Sequence, residues 1–491
     1  MITEKRTIIA YALSIITLIM LREYWLFMRQ GLHVDESMSF ILSAYNPHGF
    51  DKSFPGVIHI TGDQLRHAMW FNDTSFASML VDLKNLWVFT RDTPHSNLYY
   101  SLLRIWFTGT VSDKLYFTML WAVQLNIMLV AASMLIFCFI AYEISKNHVV
   151  TISSMVVGFI CYESISNTIF ARPYQLQETM TLAFLAMTMV YMRNVICDNR
   201  FVLAYSAVTA FTILTGYFAV VYVFITMLMV LGYAVVNCEK KYKRLVVVCF
   251  KFSTTTLLLA YLIYPPYFFV GGGRQTEALS KLENVLDNLS MAYKTFFALD
   301  GYHPYFWFSM TIAICCMVLA FLNQRFKSNI AFFSIAISSA LIWWAFVMTF
   351  APYKVPRYVY PALPVLALVY CLIMSTAFKV NKHIGFVICA FIVAISIHTY
   401  ASGKVSYAFD NKKPYCDIVF SGKTIYMVSA AYRLNGLTDC LPDTEVTIVS
   451  NTKQMDDEMK TGNYEYVVSD KPLDNLTKIE FYGYFSVYKT R

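Results

Sequence analysis

The sequence predicts an all-α polytopic membrane bundle, with about eleven transmembrane helices, helices lying in the membrane interface, and a small C-terminal α/β domain outside the membrane. Three observations predict it. The 491 residues are 57% hydrophobic and only 14% charged, which excludes an ordinary soluble chain. Apolar runs recur at about 20 residues, the length that crosses a ~30 Å hydrocarbon core. Beyond residue 401 the pattern changes to short extended runs divided by polar turns, the mark of strands.

The opening MITEKRTIIAYALSIITLIML has the apolar core of a secretion signal but no small-residue cleavage site, so it reads as a retained first span. Spans are expected near 7–28, 114–143, 148–170, 175–193, 201–215, 217–236, 245–268, 305–322, 329–350, 358–378 and 384–400. With the N-terminus in the cytoplasm, the inner connections hold Lys5, Arg6, Lys146, Arg193, Arg200, Lys240, Lys241, Lys243, Arg244, Arg325, Lys327, Lys379 and Lys382. The short outer connections hold Arg172, Lys354 and Arg357. Cytoplasmic loops carry the excess of Lys and Arg, so this asymmetry sets the orientation and accounts for the net charge of +8. No basic stripe with interleaved aromatics points to nucleic acid. An odd number of crossings places the C-terminus outside.

On that topology three stretches lie outside. The first, 29–113, is too long for a plain connection and too apolar for disorder. In it Phe76, Met79, Leu80, Leu83, Leu86 and Trp87 recur at helical spacing, with Asp82, Lys84 and Asn85 turned away and Asp73 or Thr74 as the cap. This describes a helix in the membrane surface. NLYYSLLRIWFT at 97–108 is a second such piece, with Tyr and Trp at headgroup depth. The second outer stretch, 269–304, opens on Gly271, Gly272, Gly273 and Arg274, where the glycines form either a flexible turn or a backbone nest for phosphate oxygens. The third, 402–491, is a domain of ~90 residues, with strands in KTIYMVS, EVTIVS, YEYVVSD and EFYGYFSVYK and a helix at 452–460. The transmembrane domain thus spans 1–401. Of the 11 cysteines, only Cys416 and Cys440 fall outside the membrane part, and they are the pair available for a disulfide.

Candidate chemistry gathers on the outer side. Asp35 and Glu36 follow the first span directly. They serve either to start a helix, since acids suit its first turn, or to accept a proton from an attacking hydroxyl. Asp92, His95 and Tyr99 stand around the interfacial aromatic segment, suited to positioning donor or acceptor. Arg172, next to Pro173 and Tyr174, and Arg357, next to Tyr358, are cations on the side that otherwise lacks them. One such arginine would snorkel to headgroups. Two suggest a site for an anion such as phosphate, which guanidinium binds through paired hydrogen bonds, with Lys354 and Arg274 able to join. Glu163 and Glu178 flank Arg172 inside spans, where carboxyls are paired or functional, and Glu178 is read as a structural partner of Arg172. The outer parts carry neither GxGxxG nor GxxxxGK[ST], which fits a donor that is not a soluble nucleotide. No metal ligand set is read from the sequence. Two adjacent acids do not complete a site for a cation wanting six or more oxygens.

Four elements in sequence, DE (Asp35, Glu36), PHSNLYYSLLRIW, ARPY (Arg172 to Tyr174) and RYVYPALP (from Arg357), resemble those of GT-C glycosyltransferases that use polyprenyl-phosphate sugars. Among these are protein mannosyltransferases, lipid A aminoarabinose transferases and O-antigen-modifying glucosyltransferases. The resemblance covers about residues 1–400, and Ser96 and Asn97 depart from it where a Pro-Pro is expected. It implies a sugar transferase, which a single displacement would make inverting; on general plausibility the expected setting is a bacterial inner membrane, with the C-terminal domain in the periplasm. Its partners would be an undecaprenyl-phosphate-type sugar donor, membrane lipid and a glycan or glycolipid acceptor, and not nucleic acid. It implies Asp35 as general base and the arginines as the hold on the carrier's phosphate. Two rival readings are a membrane polysaccharide polymerase or ligase, which would lack the DE and LYY elements, and a lipid-linked sugar flippase. Transporters usually set their polar sites at the midplane, whereas the unusual polar residues here lie outside.

Overall fold

A computed structural model of the chain describes residues 2–29, 31–45, 56–69, 73–88, 97–111, 114–193, 198–237, 242–268, 285–322, 327–351, 355–407, 423–429, 433–434, 441, 445–482 and 485–490. The chain is an integral membrane protein built of helices, with one mixed sheet. Helices occur in the order α1 (Ile2–Phe27), α2 (Val34–Ser43), α3 (Gly62–Met69), α4 (Phe76–Val88), α5 (Leu98–Trp106), α6 (Leu115–Ser145), α7 (His148–Ile160), α8 (Tyr162–Thr168), α9 (Tyr174–Arg193), α10 (Asn199–Ile213), α11 (Tyr217–Asn237) and α12 (Tyr242–Ile263). Further helices at Phe306–Leu322, Lys327–Phe350, Leu368–Val380 and Lys382–Ser402 complete the bundle.

A helix occupies each segment expected to cross the membrane, but the count of eleven is not reproduced by length and composition. Among the described residues, seven helices meet those criteria alone, and eight do if α7 and α8 form one span. The reasons are local. The segment 148–170 is broken at Cys161, where α7 and α8 meet at 69°. The first turns of α9 carry Gln175, Gln177 and Glu178. With 15 residues, α10 reaches only about 22 Å at 1.5 Å per residue.

The broken span has an identifiable support. Arg22 of α1 is fully buried and donates to the Phe159 carbonyl, the Ser164 hydroxyl (both 2.9 Å) and the Thr168 hydroxyl (3.0 Å). It thus caps the Phe159 carbonyl at the end of α7 and ties two hydroxyls of α8 to the same guanidinium. Asn126 of α6 does the same past the end of α8, donating to the carbonyls of Thr168 (3.1 Å) and Phe170 (2.8 Å). Glu178, expected beside Arg172, instead accepts from Gln175 Nε2 at 2.8 Å and Asn167 Nδ2 at 3.5 Å. Its position on the third position of a helical turn from Gln175 makes that near partner available.

Both interfacial elements form. α4 keeps Met79 and Leu86 buried while Phe76, Leu80 and Trp87 stay exposed, a face suited to lipid. Asp82 is not turned away as expected: it accepts from Arg104 Nε of α5 at 2.7 Å, and Arg104 also donates to the Asp73 carbonyl at 2.8 Å. Burial raises the Asp82 carboxyl above the usual range while Arg104 opposes the shift.

The sheet has six strands in the order β1-β3-β2-β4-β6-β5. They are β1 (Ile58–Thr61), β2 (Thr424–Met427), β3 (Glu445–Val449), β4 (Tyr466–Ser469), β5 (Thr477–Tyr482) and β6 (Phe485–Lys489). β3, β2 and β4 are parallel, and the remaining pairs are antiparallel. One face packs Ile425, Met427, Val449 and Val467 against Met455 of the helix Thr452–Thr461. The other packs Tyr426, Ile448, Val468 and Val487 with Leu65 of α3 and Ile41 of α2. Its edge strand β1 comes from the first outer stretch, not from the C-terminal segment. The sheet is therefore tied to the helix that follows the first span.

Candidate functional site

α2 begins on His33, whose Nδ1 accepts from the Asp35 amide at 3.1 Å, while the Glu36 carboxylate accepts from the His33 amide at 3.0 Å. This reciprocal pair is a capping box. It satisfies amides of the first turn and fixes where that turn points its side chains. The helix-start reading of the two acids therefore holds for both. Successive helical residues diverge by about 100°, and Asp35 and Glu36 face different neighbours.

Asp35 turns to the arginines. Arg357 Nη2 donates to its Oδ2 at 2.5 Å, with the two side chains 15% and 24% exposed. Arg172 Nη1 donates to the Asp35 carbonyl at 3.1 Å and lies 3.3 Å from Ser39 Oγ and 3.5 Å from the Tyr100 hydroxyl. Arg357 sits in a short 3-10 turn, Pro356–Tyr358, with Nη1 3.4 Å from the Tyr407 hydroxyl and its guanidinium over the Phe170 ring at 5.5 Å. Burial works against its charge, but Tyr174, Tyr407 and Asp35 outweigh that and hold it above the ordinary arginine value. Its Nε is buried without a hydrogen-bond partner among the described residues.

Aromatic rings wall the two guanidinium groups. Tyr407 stacks on Phe170 at 4.1 Å, Tyr174 lies 5.9 Å from Tyr358, and His33 meets Phe170 and Tyr407 edge-on. Tyr407 adopts φ 65°, an uncommon conformation outside glycine. The Ser406 amide, donating to Ser166 Oγ at 2.8 Å, holds the preceding residue on α8. Gly403 is required nearby, because a Cβ there would run into the Tyr162 ring.

Glu36 lies elsewhere in contact terms. Its side chain is 0% exposed and paired with Arg29, whose Nη1 and Nη2 donate to Oε1 at 2.8 Å and Oε2 at 2.5 Å. The Ala171 amide also donates to Oε1, at 2.8 Å. Tyr99, expected to position donor or acceptor, is turned to Asn126, its hydroxyl 3.2 Å from Oδ1. Its neighbour Tyr100 reaches Arg172 instead, since the two rings leave the helix in different directions. Lys354, Arg274, Asp92, His95, Cys416 and Cys440 lie outside the described residues. Among the described residues no three His, Cys, Asp or Glu are grouped to hold a metal ion.

The fold therefore brings Asp35, Arg172, Arg357, Tyr174 and Tyr358 into one place from parts of the chain more than 300 residues apart, as in the Arg357–Asp35 pair. Sequence reasoning missed Arg29, His33, Tyr100 and Tyr407. For Arg29 a signal existed: it is a cation just beyond the end of the first span, on the side expected to lack positive charge, the same anomaly that singled out Arg172 and Arg357.

No protein-family model matches the chain, and no curated protein matches it either. Solved structures do. ArnT from Cupriavidus metallidurans bound to undecaprenyl phosphate aligns with a TM-score of 0.51 at 11% identity, over 97% of each chain. The oligosaccharyltransferase from Archaeoglobus fulgidus in its apo form aligns with a TM-score of 0.51 at 10% identity, over 93% of this chain and 69% of that one. The same protein in complex with Zn and sulfate aligns at 0.50 and 13%, over 89% and 67%. At such identities the likeness is one of architecture, and it is shared along nearly the whole chain: this protein has the GT-C fold.

Proposed function

We propose that the protein is an integral membrane glycosyltransferase that moves a sugar from a polyprenyl-phosphate carrier to an acceptor at the outer face of a bacterial inner membrane. The acceptor is a cell-surface glycan such as O-antigen or lipopolysaccharide. The observation that carries the reading is the meeting of one carboxylate, Asp35, with two guanidinium groups, Arg172 and Arg357, inside an aromatic wall. The charge asymmetry of the connections puts that place outside. The named binding partner of a fold neighbour, undecaprenyl phosphate in ArnT, supports a lipid phosphate as ligand.

Asp35 acts as general base. It takes the proton of the acceptor hydroxyl as that oxygen attacks the anomeric carbon through an oxocarbenium-like transition state. The bond from the anomeric carbon to the carrier phosphate breaks, and its electron pair leaves with the phosphate. Arg172 and Arg357, with Tyr174 and Tyr358 around them, meet the growing charge. A phosphate leaves as a stable anion, so no strong acid is needed on that side. One displacement inverts the anomeric centre.

Arg357 is engaged by Asp35, and a base held in an ion pair is a poor proton acceptor. The carrier phosphate competes for the same guanidinium, taking Nη2 and the unpartnered Nε, and so releases the base once the donor is in place. The test is incubation of purified protein with a panel of undecaprenyl-phosphate sugars and an acceptor extract, reading release of undecaprenyl phosphate. Consumption of one donor that depends on acceptor supports the reading. Stable donors throughout, with transport of one of them across a vesicle membrane, would make the protein a flippase.

A further inference from the structure

We infer that Glu36 is a positioning residue for this transfer, and that its buried pair with Arg29 sets the spacing between Asp35 and Arg172. The inference rests on the proposed roles of those two residues. Glu36 has no capacity left for substrate. Oε1 accepts from Arg29 Nη1 and the Ala171 amide, and Oε2 from Arg29 Nη2 and the His33 amide. Four donors fill the lone-pair sites of a carboxylate, and its side chain is fully buried.

The donors come from three separate pieces of chain. Arg29 follows α1, His33 caps α2, and Ala171 lies in the link between α8 and α9. Arg29 also donates to the Ile169 carbonyl at 2.5 Å and the Gly31 carbonyl at 3.1 Å, so the pair grips the 169–171 link on both sides. Two members of this network lie one residue from the chemistry. Glu36 adjoins Asp35, and Ala171 adjoins Arg172. Arg172 Nη1 joins the two directly, donating to the Asp35 carbonyl at 3.1 Å, and this bond depends on both anchors. The planar guanidinium fork is needed for this grip, because a lysine supplies charge without two parallel donors.

The test uses the full-length purified protein and the donor that the panel identifies, with Glu36→Gln and Arg29→Lys as variants. Glutamine keeps the shape but turns an amide N–H against one of the donors. Lysine keeps the charge and loses the fork. Displacing both anchors costs Glu36→Gln roughly 100-fold in kcat and raises the KM for donor several-fold, because base and phosphate cation move together. Arg29→Lys shows the same joint change at smaller size. Both variants keep the acidic limb of the wild-type pH profile, since Asp35 remains the base. Loss of that limb in Glu36→Gln with donor KM unchanged would make Glu36 a proton-transfer group and overturn the inference. Wild-type kinetics in Arg29→Lys would overturn it as well, and that variant decides the matter should Glu36→Gln not fold. Wild-type protein that releases carrier from no donor refutes the proposed function and takes this inference with it. An active wild type with unaffected variants refutes the inference alone.

Discussion

Two carboxylates adjacent in the first turn of α2 meet opposite surroundings. Asp35 is a quarter exposed and has one arginine on its carboxylate, with a second on its backbone. Glu36 is sealed from solvent with four donors on its two oxygens. A charge buried in that way is costly unless paired and fully hydrogen-bonded, so Glu36 belongs to the structure that must not move. A charge left partly open can exchange its partners, which suits Asp35 to the proposed role of base. One residue of helical rotation separates the two roles, which motif spelling alone does not convey.

The comparison can be broken at either end. Asp35→Asn carries the largest expected effect: release of carrier falls by roughly 10²- to 10⁴-fold, while binding of undecaprenyl phosphate holds or tightens because Arg357 loses its competitor. Equilibrium binding to detergent-solubilised protein, set beside turnover, checks both halves. Arg357→Ala follows, with kcat/KM for donor lowered roughly 100- to 1000-fold in steady-state kinetics. Ile41→Ala tests the rigid side, since Ile41 ties α2 to the sheet core. It is expected to destabilise by about 2–5 kcal/mol, read as a lower thermal midpoint with a smaller fall in turnover than either site variant. Tyr407→Phe keeps the stack on Phe170 and removes one 3.4 Å bond to Arg357. A single hydrogen bond contributes about 0.5–1.5 kcal/mol, so donor KM is expected to rise by roughly 2- to 10-fold.

The helical body was legible because apolar runs and their punctuation are local signals. The same holds for α4, α5 and the strands β2, β3 and β4, whose bounds fall within a few residues of the expected ones, whereas the run EFYGYFSVYK, expected as one strand, belongs to two antiparallel strands, β5 and β6. Asp35 could be named from its place directly after the first span, and Arg172 and Arg357 from positive charge on the side expected to lack it. Their convergence could not be, because it depends on where chain segments remote in sequence pack. Remote pairing also hid β1, which joins β3 across nearly 400 residues, as in the Ile58–Ile448 register. The break at Cys161 has no proline to announce it, and its support comes from Arg22 on another helix. Which of Tyr99 and Tyr100 faces Arg172 was a question of helical phase, fixed only once α5 is packed on α6 and α2.

The most direct measurement of the central claim is release of undecaprenyl phosphate by purified protein, compared between wild type and Asp35→Asn, with carrier binding followed in the same samples. The account expects acceptor-dependent release by wild type, loss of release in the variant, and carrier binding at least as tight. Undiminished release by Asp35→Asn would contradict it.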